Sequence, residues 1–433
     1  LQAFFMTKDE EMYYDAIDAP AQVRTMTLNE ELGQISHIFS DKTGTLTCNV
    51  MDFRKFSVNG RVYGQGITEI GKASWKLQGR EIPISVLEGE ARSKAASRPH
   101  VTFWCPNYED VMEAGDSNPE YEHVQRFFRT LAICHDVIAE KVDGKIKLSA
   151  SNPDDEALVC AAEYFGFKFT DRRDKFMLVQ TRDSGGEVEE LELLESIEFS
   201  SKRKRMSVIV RETDGKIRLY TKGADTVINE RLRKGQASIV ESTNRDMSSF
   251  SDEGLRCLLV GYAELTEDQY TKWHKKYKAA KTDLGEVEKK KKLLPNMIEE
   301  LEEEIEKDII LIGSTALEDR LQDGVPEAVA LLAKANIKIW VLTGDKEETA
   351  INIAVACNLV LPEVYMKHVI INKTSAPTRE AMIELFDKES ALYDSDIKKD
   401  GEHCLPRALI IDGPSLTLAT SNKAMLMTEA NLC

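Results

Sequence analysis

Asp41-Lys42-Thr43-Gly44-Thr45-Leu46-Thr47 is a carboxylate followed by a turn rich in hydroxyl groups. Just upstream, Ile35, Ile38 and Phe39 are apolar, β-prone residues that predict a strand. The Lys-Thr-Gly turn then places Asp41 at the carboxyl end of this strand. Because open parallel sheets bind their ligands at that end, the sequence predicts an α/β domain whose chemistry is centred on Asp41.

The residues after Asp41 suit phosphoryl transfer. A carboxylate that attacks the γ-phosphate of ATP forms a covalent aspartyl phosphate, while Mg²⁺ and nearby donors neutralise the equatorial oxygens. Lys42 can carry part of that charge. Phosphatases with the same nucleophile usually have a second carboxylate where this chain has Thr43, so the hydroxyl predicts slow hydrolysis and a lasting intermediate. The alternative is an aspartate that only caps a turn.

A second motif lies far downstream. The apolar run from Ile337 to Leu342 predicts a strand, and it ends in Thr343-Gly344-Asp345. A helical pattern follows from Thr349 to Val355, so the free amides of a helix N-terminus and the Thr343 hydroxyl should face the same strand ends as Asp41. A transferred phosphoryl group would sit there. Taken alone, Thr-Gly-Asp is equally typical of a turn and helix cap.

Composition limits the classes of function. At 433 residues the chain should form at least two domains, and 42% hydrophobic residues suffice for their cores. No apolar run reaches the roughly 18 residues of a membrane-spanning helix. The net charge of −17 argues against a nucleic-acid partner. The N-terminus does not resemble a signal peptide. The eight cysteines include no C-x-x-C pair, which favours a reducing, cytoplasmic setting over zinc or disulfides.

Most of the stretch between the two motifs must form an inserted domain, because no loop of that length fits a compact fold. Its edges are predicted near Asp52 and Asp308. Alternating stretches at 207–211 and 216–221, joined across Thr213-Asp214-Gly215, predict a β-hairpin in a twisted antiparallel sheet. Residues 72–120 have no steady period and are predicted to form a long surface excursion.

The insert carries residues that suit a nucleotide. Phe199 precedes the basic turn at 202–205, so adenine could stack on its ring while Lys204 reaches phosphate. Lys222-Gly223-Ala224 and Arg256 could supply further contacts. Acidic residues from Asp154 to Glu156 open a predicted helix. The basic turn is also typical of a solvated patch or a nuclear localisation signal, and the acids of helix capping.

These strings make the chain resemble the cytoplasmic catalytic part of a P-type ATPase, specifically a phospholipid flippase. The Asp41 motif fixes the superfamily, whereas Asn29 to Gln34 and Leu321 to Pro326 point to flippases. The resemblance implies an incomplete, haloacid-dehalogenase-like Rossmann-type phosphorylation domain, interrupted by a large α+β nucleotide-binding domain. The implied division is a linker from the membrane region (1–28), the phosphorylation domain (29–52 and 308–433) and the nucleotide-binding domain (53–307).

The resemblance also implies roles for individual residues. Asp41 would be phosphorylated, and Asp41 and Thr43 would ligate Mg²⁺. The positions that would contact ATP are Asp41, Lys42, Thr43, Asp155, Phe199, Ser201, Lys204, Lys222, Arg256, Thr343, Gly344 and Asp345. Where relatives have Glu this chain has Asp155, so the acidic contact falls on Asp155 or on Glu156. The Gly-Asp-Gly-x-Asn-Asp segment, the Thr-Gly-Glu loop and the membrane helices of the family are not in this sequence.

The implied activity is ATP-driven movement of phospholipid between bilayer leaflets by an intact, multi-pass membrane protein, with this segment on its cytoplasmic side. The segment itself should bind ATP and autophosphorylate poorly or not at all. The resemblance allows a membrane-spanning accessory subunit. Two alternatives remain at this stage: a soluble phosphatase of the haloacid dehalogenase superfamily, against which Thr43 argues, and a non-catalytic, ATP-binding regulatory module.

Overall fold

The structure is a computed structural model, and it describes residues 2–25, 31, 33–77, 79–142, 145–150, 152–182, 187–344, 347–361, 365–400 and 404–420. The strands, β1 to β15 in chain order, are His37–Asp41, Thr47–Val58, Arg61–Tyr63, Ile138–Val142, Lys145–Ser149, Phe167–Arg173, Phe176–Thr181, Val188–Ile197, Arg205–Arg211, Ile217–Gly223, Arg256–Leu265, Ile310–Leu321, Lys338–Leu342, Lys367–Ile371 and Arg407–Ile411. The α-helices, α1 to α15, are Gln2–Thr7, Glu69–Leu77, Ile84–Ala95, Pro106–Ala114, Tyr121–Ile133, Pro153–Tyr164, Asp225–Asn229, Ala237–Asp252, Glu267–Thr282, Leu284–Lys291, Met297–Ile305, Val325–Lys334, Glu347–Ala356, Arg379–Asp400 and Gly413–Thr420.

A nine-stranded antiparallel sheet dominates this mixed α/β structure. Its strand order is β3-β2-β12-β11-β10-β9-β8-β7-β6. The predicted hairpin is confirmed as β9 and β10, which pair from Arg205 opposite Gly223 to Arg211 opposite Ile217. β2 and β12, the first and last strands of this sheet in the sequence, are neighbours, with Thr47 opposite Leu321. The points at which the chain enters and leaves this sheet are therefore next to each other.

Helices cover both faces of the sheet, because its strands alternate apolar residues toward both sides. In β9, Val208 and Val210 face one cluster, whereas Ile209 faces the other. The larger cluster lies under α5 and α6, where the rings of Phe128 and Phe165 stack with centroids 4.0 Å apart. These aromatic contacts form the main core of the sheet.

The smaller cluster lies under α9 and α11. The indole Nε1 of Trp273 donates to the Leu301 carbonyl at 2.7 Å and so ties the two helices together. A capping box opens α9, since the Thr266 hydroxyl accepts from the Gln269 N–H and the Gln269 side chain accepts from Thr266. The helix ends at Thr282.

The prediction for residues 72–120 is wrong. The stretch contains α3, α4 and most of α2, and Val101, Phe103 and Cys105 are buried in the larger cluster. The Phe53 carbonyl accepts from the Thr102 N–H at 3.0 Å, and the Phe53 N–H donates to His100. These residues reach the core through irregular backbone, so no helical or strand period marks them in the sequence.

Two short parallel pairs stand beside the large sheet. β1 pairs with β13, and β14 pairs with β15. β2 runs through the predicted boundary at residue 52, and β12 begins after the predicted boundary at 307 yet pairs with strands of the large sheet. The domain boundaries stay a prediction. Within the described ranges, the structure contains no helix that is both long and apolar enough to span a membrane.

Removal of the Phe56 ring should strongly destabilise the large sheet. Phe56 is fully buried and stacks on Tyr63 at 4.8 Å and on Phe127 at 5.3 Å. We expect Phe56→Ala to lower the free energy of unfolding by about 3–5 kcal/mol, measured by guanidinium denaturation. Phe176 is 41% exposed on β7 and gives a matched control, for which Phe176→Ala should cost roughly 1 kcal/mol or less. Equal losses would contradict the assigned core.

Candidate functional site

The parallel pairing of β1 with β13 brings the two sequence motifs to one edge. Asp41 is the last residue of β1 and lies opposite Leu342, the last residue of β13. Thr343 and Gly344 follow directly, and both are exposed, as are Asp41 and Thr43. Asp345 lies outside the described residues. The predicted adjacency of the two strand ends is therefore confirmed, whereas the catalytic roles of these residues stay a prediction.

The turn after Asp41 is held by the strand that leaves the large sheet. The Gln322 N–H donates to the Leu46 carbonyl at 3.0 Å, and its side-chain amide donates to the carbonyls of Gly44 and Thr47. Gly44 has a φ of +76°, a left-handed conformation that glycine adopts without strain. These contacts fix the turn from outside, so the position of Asp41 depends on a residue distant in sequence.

Lys42 is buried, whereas Asp41 and Thr43 on either side of it are exposed. Its Nζ donates to Oδ2 of Asp319 on β12 at 3.2 Å. Sequence reasoning assigned Lys42 to the phosphate and missed Asp319, although Asp319 lies next to the Leu321 to Pro326 string quoted above. In this structure the ammonium group links the Asp41 turn to the large sheet. A direct contact of Lys42 with phosphate stays a prediction.

Lys222 and Asp155 form a buried ion pair in the second group of predicted residues. The Lys222 Nζ lies 2.8 Å from Oδ1 of Asp155 and also donates to the Cys134 carbonyl. Burial opposes the charge on each group. The Asp155 carboxylate outweighs that effect at Lys222 and raises its pKa, whereas Lys222 lowers the pKa of Asp155. Both groups are therefore charged at neutral pH.

Arg256 and Asp154 form a second pair beside the first. The Arg256 Nη1 lies 2.9 and 3.1 Å from the two Asp154 carboxylate oxygens. Burial raises the pKa of Asp154, and Arg256 offsets part of that effect. Asp154 and Asp155 open helix α6, whose N-cap is Asn152, so the predicted helix start is confirmed. The Arg256 side chain remains 40% exposed, which leaves part of the guanidinium in contact with solvent.

His135 completes this buried group and was missed by sequence reasoning. Burial, followed by the charge of Lys222, lowers its pKa to about 3. Its Nδ1 accepts from the Val137 N–H at 3.1 Å, and its Nε2 lies 3.0 Å from the Ala132 carbonyl. The imidazole is thus neutral and fixed at both nitrogens. A lone histidine between Cys134 and Asp136 carries no sequence signal that would have revealed this.

Phe199, Ser201 and Lys204 lie on the exposed side of the basic turn, and the Phe199 ring is 54% exposed. The Lys204 carbonyl accepts from the Ala224 N–H at 3.0 Å, so the turn is bonded to the end of the strand that carries Lys222. The structure thus collects the predicted nucleotide residues on and beside the large sheet. It places Asp41, Thr43, Thr343 and Gly344 on the two-stranded parallel pair.

One cavity of about 810 Å³ lies away from these residues, between the large sheet and helices α12 and α13. It is lined by charged residues such as Arg54, Glu90 and Glu318. A smaller cavity of about 460 Å³ has Phe199 in its wall, but neither Lys222 nor Arg256. Side-chain chemistry, rather than cavity size, therefore identifies the candidate nucleotide site.

The residues at the strand ends fit the Mg²⁺ prediction in part. Mg²⁺ prefers oxygen ligands and usually keeps several waters, taking one or two carboxylates together with substrate phosphate. Asp41 supplies one exposed carboxylate, and Thr43 one exposed hydroxyl. Among the described residues no group of three or more His, Cys, Asp or Glu could hold a metal ion. Such a sparse ligand set suits a metal that arrives with nucleotide.

Comparison with known proteins agrees with these observations. The family described as "P-type ATPase, cytoplasmic domain N" matches residues 123–324. The chain is 41% identical to "Phospholipid-transporting ATPase 10" of Arabidopsis thaliana, over 100% of this chain and 37% of that protein. It is 38% identical to "Phospholipid-transporting ATPase DNF1" of Chaetomium thermophilum, over 98% of this chain and 29% of the relative.

The human protein "Phospholipid-transporting ATPase ID" is 39% identical over 89% of this chain and 30% of its own length. The chain therefore spans about a third of the length of these relatives. The chain belongs to the P-type ATPases. Within them, its matches place it in the phospholipid-transporting subfamily. The resemblance drawn from the motifs is confirmed.

Removal of the Lys222 ammonium group should destabilise the protein, because it leaves a buried carboxylate without a partner. We expect Lys222→Met to lower the free energy of unfolding by about 3–5 kcal/mol near neutral pH, because Asp155 stays buried without its partner. Urea denaturation measures this. The matched control is Lys292→Met, which removes a solvent-exposed pair with Glu288 at 2.6 Å and should cost under about 0.5 kcal/mol.

The pH dependence follows from the directions of the two shifts. The Asp155 contribution is present above the ordinary carboxyl pKa and is lost as the pH falls through its lowered value. The Lys222 contribution is present below the ordinary lysine pKa and is lost as the pH rises through its raised value. The destabilisation by Lys222→Met should therefore be largest between these limits and shrink toward acid. A pH-independent loss would count against the pair.

Proposed function

We propose that this chain is the ATP-binding and phosphate-accepting part of a pump that moves phospholipid between bilayer leaflets, with Asp41 as the residue phosphorylated. The observation that supports this best is the parallel register of β1 and β13. It sets the exposed Asp41 carboxylate beside Thr343 and Gly344 at one edge of the strand pair. A carboxylate with backbone amides and hydroxyls close by is suited to accept a phosphoryl group.

In the proposed reaction an oxygen of the Asp41 carboxylate attacks the γ-phosphorus of ATP. The new bond joins that oxygen to phosphorus, the bond from phosphorus to the β–γ bridging oxygen breaks, and ADP leaves with the electron pair. Bound Mg²⁺, held by Asp41 and Thr43, would neutralise phosphate charge. Thr343, Gly344 and Asp345 would complete the phosphate side. Thr43 offers no carboxylate to activate water, so the acyl phosphate should persist.

The nucleotide would bind on the large sheet. Adenine would stack on the exposed ring of Phe199, and Ser201 and Lys204 would contact the nucleotide from the same turn. Lys222 is held by Asp155, so it would act through its charge at a fixed position rather than by a mobile side chain. Arg256, which is partly exposed and held by Asp154, would add a guanidinium contact to phosphate.

The proposed architecture follows the family. Residues 29–52 and 308–433 would form a haloacid-dehalogenase-like Rossmann-type phosphorylation domain, incomplete in this chain, with residues 53–307 as the nucleotide-binding domain and 1–28 as a linker. Support comes from the adjacent strands β2 and β12, through which an inserted domain can start and end at neighbouring points. The tight turn after Asp41 leads directly into β2, and helix α12 follows β12 after a short turn.

Phospholipid transport, membrane location and any accessory subunit belong to the longer protein. They are proposed because the relatives are named as phospholipid-transporting ATPases. Membrane helices elsewhere in the protein would carry the lipid, and this segment would lie on the cytoplasmic side. The comparisons do not favour the two alternatives, a soluble phosphatase and a non-catalytic module.

The adenine contact gives the first test of this proposal. We expect the chain to bind ATP saturably in calorimetric titrations, and Phe199→Ala to weaken binding by about 1–3 kcal/mol, the scale of one lost base-stacking contact. Phe176→Ala, on β7 of the same sheet, should leave the affinity unchanged. The absence of ATP binding by the folded chain at millimolar nucleotide would refute the proposal.

A further inference from the structure

The basic run at 202–205 does not act as one patch. The side chains of Lys202 and Lys204 are exposed, whereas those of Arg203 and Arg205 are buried. Only 1% of the Arg205 surface is exposed. The backbone thus sends alternate residues to opposite sides. The arginines are therefore not accessible to an anionic ligand. Of the two exposed lysines, Lys202 pairs with Glu299 at 2.5 Å.

Both arginines converge on Glu306, which is fully buried at the C-terminal end of α11. Arg203 donates to Oε1 of this carboxylate, and the Arg205 Nε donates to Oε2 at 2.8 Å. The Ser207 hydroxyl also donates to Oε1. Both carboxylate oxygens of Glu306 therefore accept hydrogen bonds from the turn or from the strand that follows it. The donors and Glu306 are about a hundred residues apart in the sequence.

The same arginines hold the backbone of the turn. The Arg203 Nη1 donates to the Glu198 carbonyl at 2.6 Å, and the Arg205 Nη1 donates to the Arg203 carbonyl at 3.2 Å. The Arg205 Nη2 reaches Glu303 at 2.7 Å. The turn is thus fixed at its start and at its end by side chains that Glu306 orients.

Lys204 lies between these two anchors in a conformation that costs energy. Its φ is +52°, in the left-handed region that non-glycine residues seldom adopt. Its N–H donates to the Ser200 carbonyl at 2.7 Å. Gly223 approaches so closely that a Cβ there would lie 2.7 Å from the Lys204 carbonyl oxygen and 2.5 Å from the Arg205 Cβ. Such a backbone persists only where its surroundings determine it.

We infer that Glu306 is a positioning residue for Lys204: through Arg203 and Arg205 it fixes the turn that presents the Lys204 ammonium group to nucleotide phosphate. Glu306 is fully buried, so it would act through the turn rather than by touching nucleotide. The inference rests on the proposed function, because it assigns a phosphate ligand to Lys204. It adds a residue of α11 to the nucleotide site, which the exposed residues alone do not reveal.

The test compares ATP with adenosine, which lacks phosphate. In Glu306→Gln the dissociation constant for ATP should rise about tenfold, the scale of one charge-assisted hydrogen bond, while that for adenosine changes less than about twofold. In a Lys204→Ala background, Glu306→Gln should add no further loss of ATP affinity. Binding is measured by NMR titration, with circular dichroism to verify the fold.

Glu304→Gln is the matched control, since Glu304 lies on the same helix with its side chain 53% exposed and should leave both affinities unchanged. If Glu306→Gln does not fold, Arg205→Lys keeps the charge but loses the forked contacts and should show the same selective loss of ATP affinity. Equal losses for ATP and adenosine, or losses that add to those of Lys204→Ala, would overturn the inference. Failure of the wild-type chain to bind ATP would instead refute the proposed function.

Discussion

The antiparallel pairing of β2 with β12 is the constraint on which the rest of the structure depends. These strands carry the chain into and out of the large sheet, and Thr47 lies opposite Leu321 where they end. Gln322, just beyond this point, bonds the turn that follows Asp41, and Asp319 near the end of β12 holds Lys42. The candidate phosphorylation site is therefore attached to the large sheet by two neighbouring strands and by the side chains at their ends.

This arrangement connects the two groups of predicted residues through the strands of the large sheet. A shift of β12 relative to β2 would move Asp319 and Gln322, which contact the Asp41 turn. The same strand pairs with β11, which begins at Arg256. Nucleotide contacts on the sheet and the carboxylate at the strand end are thus linked through backbone hydrogen bonds. Ion pairs reinforce this link where side chains would otherwise be buried without partners.

Local patterns predicted much of the fold. The strands that end near Asp41 and Leu342, the hairpin of β9 and β10, and the capping box at Thr266 all have signatures within a few residues. The buried ion pairs have no such local signature. Lys42 and Asp319 are separated by 277 positions, and nothing in the sequence around either residue identifies the other as its partner. Such contacts depend on the tertiary fold, and without a set of related sequences the chain alone carries no record of them.

The basic run at 202–205 shows the same limit at close range. The sequence gives four adjacent cations, but β9 begins at Arg205 and the turn before it is left-handed at Lys204. That geometry, not composition, decides which side chains face solvent. Residues 72–120 were misjudged for a related reason: Val101 and Phe103 enter the core on irregular backbone, which has no period to detect.

The central claim is that Asp41 accepts phosphate, and it is tested most directly in the full-length protein that carries this chain. After brief incubation with Mg²⁺ and ATP labelled in the γ-phosphate, the acid-quenched protein should carry label that hydroxylamine removes, as an acyl phosphate requires. Mass spectrometry should place it on Asp41, and Asp41→Asn should abolish it. Label that resists hydroxylamine, or that lies on Thr43 or Thr45, would contradict the account.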